Sequence, residues 1–312
     1  MRIFVAGATG SIGSRLVRQL NERGHHVIGS SRSPERADAL RSFGAEPIVV
    51  DLLDQRAVRE AVASARPDAI VHEATGLAGQ TDVKHFDRSF AKTNTLRTEG
   101  TDALLAAARE AGVVRFVAQS FAGWPYAREG GPIKAEEDPL DPTPVPTMRE
   151  TLAAIRHLEE AVLGKGGIAL RYGGFYGSPE DAQLELVRRR RFPIVGDGGG
   201  IWSFIHLEDA AAATVLALEQ GESGIYNVVD DEPAPVREWL PALAAAIAAK
   251  PPRRVPRWLA RLAVGEAGVV LMTEARGASN AKAKRELGWT LSYPSWRRGF
   301  VEAYGRARAD RS

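Results

Sequence analysis

The sequence predicts an α/β fold, a mostly parallel sheet with helices on both faces and a smaller C-terminal domain attached. Two observations predict it. Strand-like and helix-like patterns alternate repeatedly from the first residue onward, and such alternation builds parallel sheets covered by helices. The first strand pattern also runs directly into a glycine-rich turn that opens an amphipathic helix. With 312 residues, 44% hydrophobic and 26% charged, the chain is long enough for one large core and a smaller one.

Each element follows in order. Residues 2–6 read as a buried strand, and Gly7-Ala-Thr-Gly10-Ser-Ile-Gly13 leads into a helix with Leu16, Val17 and Leu20 on its apolar face. In this context Gly7 permits the tight turn, Gly10 lets the backbone approach a pyrophosphate and Gly13 lets the helix pack against the sheet. Backbone amides at the helix start then face the phosphates. The expected fold is therefore Rossmann-like, and the expected ligand a nicotinamide dinucleotide. A second strand, 26–30, ends in Ser31 and Arg32, with no carboxylate between Glu22 and Glu35. An acidic residue there would repel a 2′-phosphate, whereas Ser31 and Arg32 supply donors to it. NADP is expected, with NAD as the alternative. Strand 47–50 precedes Asp51 and Leu52, which face the adenine side, and Asp54, expected to cap the next helix. Strand 67–71 delivers His72 and then Ala74, Thr75 and Gly76 towards the cofactor; a helix over 96–111 and a strand over 113–118 follow.

At this point the chain resembles the extended short-chain dehydrogenase/reductase family, in the branch of NAD-dependent epimerases and dehydratases. The likeness rests on Gly7-x-x-Gly10-x-x-Gly13, Asp51-x-x-Asp54, His72-x-Ala74, Gly100-Thr101, Arg115-Phe-Val-Ala-Gln-Ser120, Arg171-Tyr-Gly-Gly-Phe-Tyr-Gly177 and Ser203-Phe-Ile-His-Leu-Glu-Asp-Ala210, and continues through Tyr226-Asn-Val to Glu286-Leu-Gly-Trp289. The resemblance implies a cofactor site of Gly7, Thr9, Gly10, Ser11, Ile12, Gly13, Ser31, Arg32, Asp51, Leu52, Ala74, Thr75, Gly76, Tyr172 and Gly174. It also implies a catalytic Ser or Thr after strand five and a Tyr-x-x-x-Lys pair on the next helix. Ser120 fits the first. The pair is missing: the two plausible registers put Met148 and Leu152, or Thr147 and Thr151, in its place, and no tyrosine occurs between Ala127 and Arg171. Arg97 stands where the family has an asparagine. Tyr126, Glu150 (if burial raises its pKa) or bound water are the candidates to move the proton instead.

Residues 1–174, completed by 201–230, are expected to form the dinucleotide domain, and 175–200 with 231–312 a substrate domain. Trp124, Tyr176, Trp202 and Trp258 are the candidate substrate contacts. The helix over 147–163 and the one over 98–111 are where the resemblance places a homodimer contact.

Composition narrows the function further. There are no cysteines, and the formal charge is only +2, so neither thiolate chemistry nor a nucleic-acid partner is indicated. The six histidines form no recognisable metal-ligand pattern. The Ala-rich runs 210–218 and 241–249 fall short of the roughly 20 residues that span a bilayer. A cytoplasmic protein with a small-molecule substrate and no membrane partner is expected. The leading reading is an NADP-dependent oxidoreductase or epimerase-like enzyme acting on a small hydroxyl or carbonyl compound. A redox-silent cyclase, dehydratase or isomerase, and a non-enzymatic cofactor sensor, stay open.

Overall fold

The computed structural model describes residues 1–77, 82–178 and 181–305. Seven strands form one parallel sheet: β1 (Arg2–Ala6), β2 (His26–Ser31), β3 (Glu46–Val49), β4 (Ala69–His72), β5 (Arg115–Phe121), β6 (Ile168–Tyr172) and β7 (Gly224–Val228). Their spatial order is β7-β6-β5-β4-β1-β2-β3. The order reverses direction between β1 and β4, and the crevice beyond the carboxyl ends of these two strands is where such sheets bind ligands. The β1, β4 and β6 strands are buried along almost their whole length, which is why they read as apolar runs rather than alternating ones.

Helices α1 (Ser11–Glu22) and α7 (Leu207–Gln220) cover one face, packing Leu16, Leu20, Val215 and Leu218 on Val5, Val71 and Val117. Helices α3 (Gln55–Ala65), α5 (Thr101–Glu110) and α6 (Arg149–Leu163) cover the other, where Val62, Leu104, Leu158 and Val162 meet Phe4, Ile70 and Phe116. Asp54 caps α3, as its position predicts, accepting from the amides of Arg56 and Ala57. A further core is built from aromatic residues after Tyr176, with Trp239, Trp296 and Phe300 at its centre.

One element differs from expectation. The single helix expected over 96–111 is the end of a longer run: α4 (Phe86–Thr95) passes through a π-helical turn, Leu96–Gly100, into α5. Residues 201–206 return the chain to the core as two short strands. Ile201–Trp202 pairs antiparallel with Ala234–Pro235, and Phe204–His206 pairs in parallel with Gly174–Tyr176. Strand alternation alone does not show the break at Ser203, whose hydroxyl accepts from the Ala278 amide and turns the chain away.

Candidate active site

The glycine loop has the shape its sequence requires. Gly7 has φ +85°, and a Cβ there would lie 2.7 Å from the backbone of Ala74. A Cβ on Gly13 would lie 2.2 Å from the Gly7 carbonyl oxygen, so α1 sits as close to the β1 loop as a helix can. At Gly10 only the Gly7 carbonyl lies near the missing Cβ, at 3.2 Å, and the remaining side is open. The first turn of α1 has neither a side-chain cap nor an acidic residue. Its amides therefore point into the crevice unpaired, as a pyrophosphate requires. These residues fit a dinucleotide.

Other cofactor candidates surround this loop to different degrees. Ala74, Thr75 and Gly76 are half-buried at the end of β4, and the Gly76 amide donates to Thr93 Oγ1. Arg32 is exposed at the end of β2 and makes no hydrogen bond or ion pair among the described residues. Ser31 is buried, its hydroxyl engaged with the backbone of Ser33. Asp51 is exposed and accepts from the Leu53 amide, while Leu52 is buried beneath it. Tyr172 does not present its phenol to the crevice. It is fully buried, with Oη bonded to Glu73 at 3.0 Å and to Thr214 at 2.6 Å. Burial pushes the Glu73 carboxyl up to about 8, so it is largely neutral at pH 7. His72 is also buried, and desolvation lowers it to about 4, leaving a neutral imidazole bonded to the Leu96 carbonyl.

The three residues expected to carry the chemistry are not gathered around one reacting atom. Ser120 and Tyr126 do share a network, but it is sealed. Ser120 is 1% exposed and donates to Glu159 at 2.7 Å; Glu159 holds Arg171 through two contacts of 2.7 Å. Arg171 reaches the Tyr126 phenol at 2.9 Å, and that phenol donates to Asn227 at 2.6 Å. Burial raises Tyr126 to about 12 although the Arg171 guanidinium opposes the shift. Its proton is thus held where no substrate reaches it. Glu150 is exposed on the first turn of α6, so the burial its expected role required is absent. Helix α6 contains neither Tyr nor Lys, and Met148, Thr151 and Leu152 are buried where the two registers place the missing pair.

Asp87, not singled out in the sequence, holds the start of α6 by accepting from the Glu150 and Thr151 amides and the Thr151 hydroxyl. Glu159 was missed as well: a helix glutamate looks like a surface residue until the arginine of a neighbouring strand is placed beside it. Arg97 is likewise buried, and desolvation lowers it to about 10.

The tryptophans separate. Trp124 is half-buried, edge-on to Phe86 at 5.2 Å and 6.4 Å from Phe121. Trp202 is half-buried but packs on Trp239, with its indole N–H donated to the Leu271 carbonyl. Tyr176 lies in the C-terminal core against Phe300 and His206. Trp258 is 69% exposed, so it does not line a pocket in this conformation. Its helix, α9 (Arg257–Thr273), breaks at Gly265, and apart from Ala260 its buried residues lie in the second part. Among the described residues no group of three His, Cys, Asp or Glu side chains is placed to hold a metal, and no helix is long and apolar enough to cross a membrane.

The family model for the NAD dependent epimerase/dehydratase family matches residues 3–229. The chain belongs to that family. An epimerase/dehydratase fold is also what solved structures show. The chain superposes on UDP-glucose 4-epimerase with UDP-glucose from Thermotoga maritima with a TM-score of 0.76, at 23% identity over 100% of both chains. A human epimerase family protein with NADPH gives a TM-score of 0.76 at 20% identity, covering 97% of this chain and 99% of that one. Among curated family relatives, a Streptomyces protein named 3-diazoavenalumate denitrifying reductase is 42% identical over 308 residues, 96% of this chain and 99% of its own. With the family model, this makes the chain an NAD(P)-dependent oxidoreductase-like enzyme.

Proposed function

We propose that the chain is an NADP-dependent reductase whose acceptor takes a hydride without needing a proton from the protein, an aryl diazonium ion being the class that fits best. The observation that carries this reading is the state of the usual acid position. Where the two registers place the missing pair stand Met148, Thr151 and Leu152, all buried, and exposed Thr147, none of them a phenol or an amine, and the two nearby hydroxyls, Ser120 and Tyr126, donate to Glu159 and Asn227. Reducing a carbonyl consumes one hydride and one proton, so a positioned acid accelerates it. An aryl diazonium consumes only hydride: a C–H bond forms, the C–N bond breaks, and dinitrogen leaves with the electron pair of that bond. The name of the 42%-identical relative, a denitrifying reductase of a diazo compound, supports the same chemistry.

In this reading the glycine loop, with Thr9, Ser11 and Ile12, holds the pyrophosphate, and Arg32 receives the 2′-phosphate. The bound dinucleotide supplies the hydride from its reduced nicotinamide. Residues 175–178, 181–200 and 231–305, together with the loop that carries Trp124, enclose the acceptor.

The test compares NADPH oxidation at 340 nm with an aryl diazonium salt and with a matched aryl ketone. Oxidation coupled to dinitrogen release with the first and not the second supports the reading. Ketone reduction at a rate equal to or above that of the diazonium overturns it.

A further inference from the structure

The carboxyl end of β5 projects beyond the strand beside it. Ala118 is the residue opposite His72, the last residue of β4, so Gln119, Ser120 and Phe121 extend past the β4 edge over the ligand crevice. Side chains alternate along a strand. Ser120 points to the α6 side, where Glu159 takes its hydroxyl, and Phe121 therefore points to the opposite side. Phe121 stays half-buried beside the Trp124 ring, and Trp124 in turn meets two rings of α4. Trp124 lies 6.4 Å away, Phe86 lies 5.2 Å from Trp124, and Phe90 stacks on Phe86 at 4.5 Å and 18°. Buried Met148 joins the same cluster at the start of α6.

This cluster differs from the aromatic core formed by Trp239, Trp296 and Phe300, whose rings are covered almost completely. Phe90, Phe121 and Trp124 each keep part of their surface uncovered. The Trp124 indole N–H has no acceptor among the described residues, as is also true of buried Trp239 and Trp289, so partial exposure is what sets Trp124 apart. Nor is the position of Trp124 left loose. The Tyr126 amide donates to the Gly123 carbonyl, and the Tyr126 phenol is pinned between Asn227 and Arg171, so the turn that carries Trp124 is anchored two residues along. An anchored loop that leaves an indole partly bare presents a recognition surface rather than completing a core.

We infer that Trp124 and Phe121 form the specificity surface of the site and take a planar, electron-poor aromatic ring. This rests on the reductase reading for its location, and its chemistry goes further. Aromatic faces carry partial negative charge, so they attract cationic groups and electron-deficient rings more than saturated ones of the same size. An aryl diazonium is both planar and electron-poor. A sugar offers neither property to these rings.

The test is equilibrium binding to the NADP⁺-loaded protein, by calorimetry, of three unreactive acids: 4-nitrocinnamate, cinnamate and 3-cyclohexylacrylate. The expected order of affinity is nitro above unsubstituted above saturated. Trp124→Ala is expected to weaken cinnamate about tenfold, equivalent to about 1.4 kcal/mol, with NADP⁺ affinity unchanged and cinnamate affinity restored in Trp124→Phe. Equal affinity for all three acids, or a Trp124→Ala protein that binds cinnamate as the parent does, overturns the inference. Because none of the acids is reduced, aromatic selectivity without any diazonium turnover supports this surface while rejecting the proposed reaction. Diazonium turnover without aromatic selectivity does the reverse.

Discussion

At the scale of single residues, two side chains set testable limits on the cofactor site. Arg32 is an exposed guanidinium at the end of β2 without an ion pair among the described residues. A charge-assisted contact to the 2′-phosphate is worth about 1.5–3 kcal/mol. Arg32→Ala is therefore expected to weaken NADPH binding by about one to two orders of magnitude and to leave NADH binding nearly unchanged. Dissociation constants measured by fluorescence titration decide the point, and equal losses for both cofactors would count against it.

Glu73 makes a different prediction. Its carboxyl is buried behind the Gly7 loop, and burial moves it from the ordinary 4.5 to about 8. The Tyr172 phenol donates to its Oε1 and shares a hydrogen bond with Thr214, whose hydroxyl donates to the Ala210 carbonyl. Because the folded value lies above the unfolded one, the folded state retains a proton that the unfolded chain releases between the two. Its contribution is complete below the ordinary carboxyl value and disappears as pH rises through about 8. Glu73→Gln should flatten the fall in stability across that window and be the more stable protein at its upper end. Urea unfolding from pH 4 to 9 measures this, and parallel curves for parent and variant would refute it.

At the scale of elements, the legible parts were those governed by short-range rules. The β1 strand, the three glycines and the Asp54 cap each follow from a local pattern, and each is found where that pattern puts it. The reading failed where partners come from distant segments. Ser120 looks catalytic from its place in β5, but a glutamate 39 residues later takes its hydroxyl. Tyr126 looks available as a phenol, yet Asn227, 101 residues away, accepts its proton. The signal for Phe121 was present: a strand of period two that turns Ser120 inward must turn its neighbour outward. The Glu159–Arg171 pair ties α6 to β6 with both side chains about 95% covered. Removing one partner of a buried pair costs about 3–5 kcal/mol because it strands the other charge. Glu159→Gln should thus lower urea stability by that order, while NADPH affinity measured well below the unfolding transition stays the same. A loss of less than about 1 kcal/mol would mean that the pair does not hold the helix.

At the scale of the whole molecule, the sheet order and its reversal between β1 and β4 locate the crevice, and family membership makes the cofactor class secure. The acceptor was not legible, because the proposed reading draws its walls from the 122–146 loop, α4 and the C-terminal segments, where no short pattern governs position. What the folded chain adds is a cluster of partly covered aromatic rings and no phenol–amine pair on α6, and the proposed reading sets hydride transfer beside those rings. Isotope effects test that arrangement most directly, with the diazonium acceptor and NADPH deuterated at the transferred position. Turnover is predicted to slow with the deuterated cofactor and to keep the same rate when H2O is replaced by D2O. A large solvent effect that vanishes when an ionisable side chain is replaced would show a protein acid at work and contradict the account.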